Sequence, residues 1–204
     1  MRLFRSLTLL MAKVVPTLMS RVVLTLMTLV VPTAFADDLY QVEMILVRQN
    51  AVPAIVSKAA PEDWAAGAQR INPDSFRTPS LNPEVEKLTA SNEYSVLLHK
   101  AWQQNLGEEA TKVAISDGPE QFGQFPIEGT LSLKLGRFTD VDADFWVNQI
   151  DANGMVTASE RLKQESHTKN GQLNFLDNGH LGLLIKITSL TAPAPRPVPD
   201  EIPD

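Results

Sequence analysis

Two adjacent stretches in the second half of the chain alternate between apolar and polar side chains. Apolar residues occupy odd-numbered positions in 127–135 and again in 141–147. Successive side chains of a strand point to opposite faces of a sheet, so each stretch predicts a strand with one buried and one exposed face. Segment 136–140 is short enough to join the two strands as an antiparallel hairpin. The alternation places Ile127, Leu131, Leu133, Leu135, Val141, Ala143, Phe145 and Val147 inside, and Glu128, Thr130, Ser132, Lys134, Asp142, Asp144, Trp146 and Asn148 outside.

Further strands are predicted from runs of β-forming residues, several of which end at turns that contain glycine or asparagine. These strands cover 39–48, 94–104, 155–168, 173–176 and 181–188. In the first two of them one face is expected to be apolar, and it consists of Tyr40, Val42, Met44 and Leu46 in one strand and of Tyr94, Val96, Leu98 and Trp102 in the other.

One short helix is predicted before residue 94. Asn82 is expected to act as its N-cap, with a proline in the first turn and acidic residues near the positive end of the helix. Leu81, Val85 and Leu88 form a narrow apolar stripe that ends near residue 90. A helix of this length depends on packing against the sheet for its stability.

Two segments show no sustained periodicity. Residues 50–80 contain four prolines and are expected to form a long connection with a helical turn near 62–68. Residues 106–125 are expected to form a loop. Together the elements predict an α+β fold, mainly antiparallel β-sheet with one or two short helices, in a single domain that covers 37–190.

The two ends of the chain differ in composition from this domain. Residues 1–36 combine basic residues, an apolar run and a final Ala34-Phe35-Ala36, which are the parts of a secretory signal peptide cleaved after Ala36. The apolar run is shorter than the roughly 20 residues that span a bilayer, and an N-terminal membrane anchor is the alternative interpretation. A start at Met11 would give a signal of more usual length. Residues 191–204 contain alternating prolines and predict a disordered tail.

The charge balance excludes two classes of partner. Residues 1–36 hold four of the 18 basic residues and none of the 24 acidic ones, so the rest of the chain has 14 basic residues and a net charge of −10. Nucleic acids and anionic membrane surfaces are bound through clustered Lys and Arg, which this chain lacks. We therefore expect no nucleic-acid partner and no membrane insertion after signal cleavage. The absence of cysteine also excludes disulfides, thiol catalysis and cysteine-ligated metals.

The remaining chemistry-bearing residues do not form a catalytic pattern. The three histidines, His99, His167 and His180, have spacings unlike those of a compact metal-binding pair. No Gly-x-Ser-x-Gly nucleophile turn and no glycine-rich phosphate loop occurs. The aspartates at 140, 142 and 144 share the wet face of one strand, which predicts a solvated surface and not a glycosidase carboxylate pair. We expect a protein without enzymatic activity, metal or cofactor.

Four segments of the chain resemble the CsiV family of exported Gram-negative proteins. The most specific is Leu97-Leu98-His99-x-Ala101-Trp102-x-Gln104, and the others are the strands at 40–48 and 127–136 and the final segment at 173–187. They span nearly the whole 37–190 domain in the family's order. The resemblance implies a periplasmic, non-enzymatic protein that binds peptidoglycan. It further implies support of septal cell-wall synthesis through an outer-membrane lipoprotein that activates a bifunctional penicillin-binding protein.

An acidic protein that binds a glycan must use aromatic contacts and directed hydrogen bonds, because bulk charge does not attract the polymer. Trp146 is the first candidate, since the alternation places this large ring on a polar face together with Asp144 and Asn148. Trp102 and Gln104, from the segment most specific to the family, complete the predicted ligand-binding set.

Each of these tryptophans has a second interpretation. Trp146 is either an open platform for a sugar ring or a ring covered by the 50–80 connection. Trp102 shares the apolar parity of its strand and is also explained as core, and Trp64 is a candidate anchor for the connection. Two function classes stay open as a result: a periplasmic wall-binding module, and an interaction adaptor that uses a sheet edge or the proline-rich tail and touches no glycan.

Overall fold

The computed structural model describes residues 38–191, which form two β-sheets, one α-helix and one 3₁₀ turn. The strands are β1 (Asp38–Gln49), β2 (Val56–Ser57), β3 (Gln69–Arg70), β4 (Tyr94–Leu106), β5 (Thr111–Asp117), β6 (Ile127–Leu135), β7 (Thr139–Ile150), β8 (Val156–Thr168), β9 (Leu173–Asp177) and β10 (Leu181–Ser189); the helix α1 is Asn82–Ala90 and the 3₁₀ turn is Pro73–Ser75. The predicted signal peptide, 1–36, and the predicted tail beyond residue 191 lie outside the described residues.

The strands form a four-stranded sheet of order β4-β1-β10-β9 and a six-stranded sheet of order β2-β8-β7-β6-β5-β3. Paired strands are antiparallel except β3 and β5, which are parallel. Apolar side chains from both sheets form one core, in which Met44, Trp102 and Phe145 are among the largest fully buried residues. Within residues 38–191, no helix is long and apolar enough to cross a membrane.

The hairpin predicted from the alternation is present. β6 pairs antiparallel with β7 over its whole length, and the apolar set of each strand faces the four-stranded sheet. The predicted fold class, a mainly antiparallel α+β domain with short helices, is confirmed.

The sequence predicts a loop over 106–125, and this prediction is wrong for part of the segment because it contains β5. Val113 and Ile115 alternate into the core, whereas Ala114 packs on the outer face of the six-stranded sheet. Only two large apolar residues carry the alternation, which is too short to stand out in the sequence. The 62–68 segment likewise differs from its prediction, since residues 62–67 form successive turns instead of a helical turn.

The predicted apolar face of β4 is wrong in its first half. β1 and β4 change register at Leu97, which is an extra residue on β4. Such a bulge reverses the faces that successive side chains occupy. Leu98 and Trp102 therefore enter the core, while Tyr94 and Val96 pack on the opposite face of the sheet, beside α1.

Helix α1 covers the outer face of the four-stranded sheet through the predicted stripe of Leu81, Val85 and Leu88. The prediction that Asn82 is the N-cap is wrong. The helix begins at Asn82, and Leu81 occupies the cap position without a side-chain hydrogen bond. The buried carboxylate of Glu43 on β1 accepts a hydrogen bond of 2.7 Å from the backbone N–H of Leu81. A side chain distant in sequence thus anchors the start of the helix.

A buried polar cluster joins the two sheets. Arg48 on β1 donates two hydrogen bonds of 2.9 Å to the carboxylate of Glu160 on β8. The Nε2 of His180, just before β10, lies 2.7 Å from the same carboxylate, and its Nδ1 lies 3.1 Å from the carbonyl oxygen of Val52. The cluster fixes the beginning of the 50–80 connection, which then continues over the outer face of the six-stranded sheet.

Candidate functional site

The outer face of the six-stranded sheet carries a groove beneath the first half of the 50–80 connection. Strands β5 to β8 form its floor, residues 57–66 form its roof, and its volume is about 550 Å³. We name it the tryptophan groove; its lining includes Lys58, Trp64, Lys112, Asp144, Trp146 and Arg161. Two of the five predicted ligand-binding residues, Trp146 and Asp144, therefore lie in one groove.

The ring of Trp146 is covered, as in the second of its two sequence-based interpretations. It is 6% exposed and packs in a small apolar cluster with Trp64, Ala60 and Ala114. Trp64 is 8% exposed and meets the ring of Phe125 edge to face, with 6.3 Å between the ring centroids. The connection is thus held on the sheet by its own tryptophan, and Trp146 forms a wall of the groove.

The indole N–H groups of the two groove tryptophans have no hydrogen-bond acceptor among the described residues. Only Trp102 donates such a bond there, to Oε1 of Gln104 at 2.6 Å. A buried indole N–H normally has a partner. Neither indole nitrogen is among the fully enclosed polar atoms that lack a partner in the described part of the chain.

An ion pair lies beside Trp146. Arg161 on β8 donates two hydrogen bonds of 2.7 Å to the carboxylate of Asp144 on β7. Its guanidinium carbon lies 4.5 Å from the centroid of the Trp146 ring, in a cation–π contact. The hydrogen-bonded carboxylate raises the pKa of Arg161 further above its usual value, so the guanidinium stays charged.

Two lysines add positive charge to the groove. Neither Lys58 nor Lys112 has a carboxylate within ion-pair distance among residues 38–191. The Nζ of Lys112 lies 3.5 Å from the carbonyl oxygen of Ala66, at the limit of a hydrogen bond. The three cations of the groove outnumber its two carboxylates, those of Asp63 and Asp144, so this groove can still attract an anionic group in a chain whose net charge is negative.

Asn148, the third predicted residue on this strand, is buried beside the groove and not among its lining residues. Its Nδ2 donates to Glu128 at 2.7 Å and to the carbonyl of Phe125 at 2.8 Å, and its Oδ1 accepts from Ser159 at 2.7 Å. Burial raises the pKa of Glu128 despite the hydrogen bonds from Phe125 and Asn148. The network positions Phe125 against Trp64.

Trp102 and Gln104 lie elsewhere, at a second groove of about 380 Å³ between β3, β4 and β5. We name it the amide groove because five side-chain amides line it: Gln69, Asn72, Gln103, Gln104 and Asn105. The ring of Trp102 belongs mainly to the core. The predicted ligand-binding set is thus divided among the tryptophan groove, the amide groove and the buried network of Asn148.

Sequence reasoning missed the three cationic residues of the tryptophan groove. Arg161 stands directly opposite Trp146 in the pairing of β7 with β8, so the hairpin register would have placed it there. Lys58 and Lys112 come from the connection and from the strand that the sequence did not predict. No local pattern marks them.

Searches among curated proteins and among solved structures find no match to the chain. The model of one protein family, described as "Peptidoglycan-binding protein, CsiV", matches residues 19–78 and 68–190. These overlapping matches cover far more than half of the chain. They include both grooves and all four segments in which the sequence resembles that family. The chain belongs to the CsiV family of peptidoglycan-binding proteins.

Proposed function

We propose that this protein binds peptidoglycan in the periplasm and that the tryptophan groove is the contact surface. The observation that carries the location is the convergence of two indole N–H donors, three cations and two carboxylates, those of Asp63 and Asp144, in a single groove. Peptidoglycan offers hydroxyl-rich sugars and peptide carboxylates, and both require directed hydrogen bonds from an acidic protein. Membership of the family supports peptidoglycan as the ligand, and the chemistry of the groove supports the tryptophan groove as its contact surface.

The groove residues divide into two roles in this proposal. Asp144 and Arg161 hydrogen-bond sugar hydroxyls, with the edges of the indole rings forming the apolar wall beside them. Lys58 and Lys112 pair with carboxylates of the stem peptide. The protein acts by binding, and no bond of the polymer is broken or formed.

The test removes the two lysines and leaves the aromatic wall unchanged. The double variant Lys58→Gln, Lys112→Gln should bind purified sacculi about tenfold or more weakly in co-sedimentation, since one charge-assisted hydrogen bond contributes about 1.5–3 kcal/mol. Lys169→Gln, an exposed lysine in the loop before β9, removes one charge outside the groove and should leave binding unchanged. Sacculus binding by the double variant equal to that of the parent would refute this location. Failure of the parent to co-sediment at all would favour an adaptor that touches no glycan.

We also propose that the protein supports septal wall synthesis by contacting the lipoprotein activator of a bifunctional penicillin-binding protein. The family resemblance suggests the partner, and the edge strand β9 offers a surface for it. Leu173 and Phe175 are exposed on the outer face of β9, and Phe175 is 49% exposed. Exposed sheet edges with apolar side chains are common protein-binding sites. Phe175→Asp should abolish binding of the purified lipoprotein while sacculus binding persists; retained lipoprotein binding would exclude this edge.

A further inference from the structure

In the amide groove the fold occupies the oxygens of three of the five side-chain amides, and these three can offer their NH₂ groups. Trp102 donates to Oε1 of Gln104 at 2.6 Å, and an indole N–H can only donate. Arg77 donates to Oε1 of Gln103. The backbone N–H of Asp74 donates to Oδ1 of Asn72 at 3.0 Å.

The orientation of these amides follows from their partners. Each partner can only donate, so each amide turns its oxygen towards that partner. Within residues 38–191 the three NH₂ groups have no hydrogen-bond acceptor. The Nε2 of Gln104 is fully buried and has no hydrogen-bond partner among the described residues. A buried donor without a partner is rare in proteins and indicates a missing acceptor.

The charge of the groove limits that acceptor further. Among the described residues that line it, none is Asp or Glu, and Arg70 has no carboxylate within ion-pair distance in residues 38–191. The acceptors that remain are the neutral side-chain oxygens of Gln69, Asn105, Ser75 and Thr111. A carboxylate only accepts, and an unpaired guanidinium favours its charge.

We propose that the amide groove binds the terminal carboxylate of a peptide, held by Gln103, by Arg70 and by Gln104, whose side chain shifts to present its enclosed Nε2 to the ligand. Ile71 and Val113 provide apolar surface for a small side chain next to that carboxylate. Naming the stem peptide of peptidoglycan as the natural source rests on the proposed function.

The experiment compares N-acetyl-L-lysyl-D-alanyl-D-alanine with its C-terminal amide by isothermal titration of the protein. The free acid should bind at least about tenfold more tightly than the amide, the effect of a charge-assisted hydrogen bond. Gln104→Glu retains the acceptor for Trp102 but replaces the donor by an anionic oxygen, and it should weaken binding of the acid by at least about tenfold. Arg70→Gln, at an exposed position, should also weaken it. Gln149→Glu adds the same charge on an exposed part of β7 and should leave binding within about twofold, since a distant surface charge is screened.

Equal binding of the acid and the amide, or undiminished binding by Arg70→Gln and a folded Gln104→Glu, would overturn the proposal. The acetamido group of the sugars is another source of an accepting oxygen in the polymer, and the N-acetylglucosamine tetramer tests it. If Gln104→Glu weakened binding of the tetramer but left binding of the tripeptide unchanged, the proposal would also be overturned. Sacculus co-sedimentation is scored separately, so loss of the carboxylate site leaves the proposed function standing, and loss of sacculus binding leaves the tripeptide result interpretable.

Discussion

Replacing Glu43 by glutamine is predicted to lower the free energy of unfolding by about 3 kcal/mol at neutral pH. Glu43 is 1% exposed. Its carboxylate accepts hydrogen bonds from the backbone N–H groups of Ser80 at 2.8 Å and Leu81 at 2.7 Å, and from the Ser80 hydroxyl at 2.6 Å. The Nε2 of His99 lies 2.8 Å from the same carboxylate. This one side chain therefore links β1, β4 and the start of α1.

The magnitude follows from what glutamine can replace. Glutamine keeps the length of the side chain, but one accepting oxygen becomes an NH₂ group that faces other donors. A hydrogen bond to a charged group contributes about 1.5–3 kcal/mol, and a buried donor left unpaired costs about 1–3 kcal/mol. The variant loses the charge from the bonds it retains and leaves at least one donor unpaired, which gives the value of about 3 kcal/mol.

The same carboxylate makes the loss depend on pH. Burial raises the pKa of Glu43, but the hydrogen bonds from Ser80, Leu81 and His99 together outweigh burial and bring the pKa below its ordinary value of 4.5. A group whose pKa is lowered by folding stabilises the fold above its ordinary value, and that contribution disappears as the pH falls through the folded-state pKa. The difference between parent and variant should be full near neutral pH and should shrink below pH 4.5.

Urea unfolding at several pH values measures this difference. Glu86→Gln makes the same chemical change at an exposed position on α1 and should leave stability within about 0.5 kcal/mol of the parent. The reasoning is refuted if Glu43→Gln matches the parent at neutral pH. It is also refuted if the loss is equally large well below pH 4.5.

Four further predictions concern the six-stranded sheet and its loops. Trp146→Ala should lower the free energy of unfolding by about 3–5 kcal/mol, as for a buried aromatic ring, and an effect below about 1 kcal/mol in urea unfolding would show that the ring is not packed. Gly129→Ala should lower it by about 2 kcal/mol, because the added Cβ would lie 2.4 Å from the carbonyl oxygen of Asp144; an unchanged thermal midpoint would contradict this contact. Phe122→Asn should raise stability by about 1 kcal/mol, since Phe122 has φ 49° in a tight turn and asparagine tolerates that region; a lower thermal midpoint would contradict the strain. Because burial raises the pKa of Glu128, its contribution to stability should decrease as the pH rises from 4.5 through the folded-state pKa, and Glu128→Gln should remove this decrease from the pH profile of unfolding; an identical profile would contradict it.

Elements with a regular local pattern could be predicted from the sequence. The β6–β7 hairpin was accessible because its alternation extends over two whole strands with few exceptions. The stripe on α1 was accessible for the same reason, since Leu81, Val85 and Leu88 recur at helical spacing. In both cases the neighbours that decide the structure lie close in the sequence.

Features that depend on distant residues could not be predicted. The N-cap prediction at Asn82 failed because Glu43, about 40 residues earlier, already satisfies the donors at the start of the helix. The prediction of the face that Tyr94 occupies failed because the extra residue Leu97 can be recognised only once β4 is paired with β1.

The candidate site shows the same division. The alternation placed Trp146 and Asp144 together on the outer face, and both line the tryptophan groove. Predicting the roof over Trp146 requires the path of the 50–80 connection, and no periodicity in the sequence indicates that path. Placing Arg161 in the groove requires the register of β7 with β8. Trp102 and Gln104 could be singled out as family residues, but their groove depends on the packing of β3 against β5.

The most direct test of the tryptophan groove is an NMR titration of the three indole N–H signals with a soluble disaccharide tetrapeptide from peptidoglycan. The signals of Trp64 and Trp146 should shift together as the ligand is added, because both rings line the groove and neither N–H has a partner among the described residues. A Trp64→Phe variant assigns one of the two signals. Saturable binding with both of these signals unmoved would contradict the account.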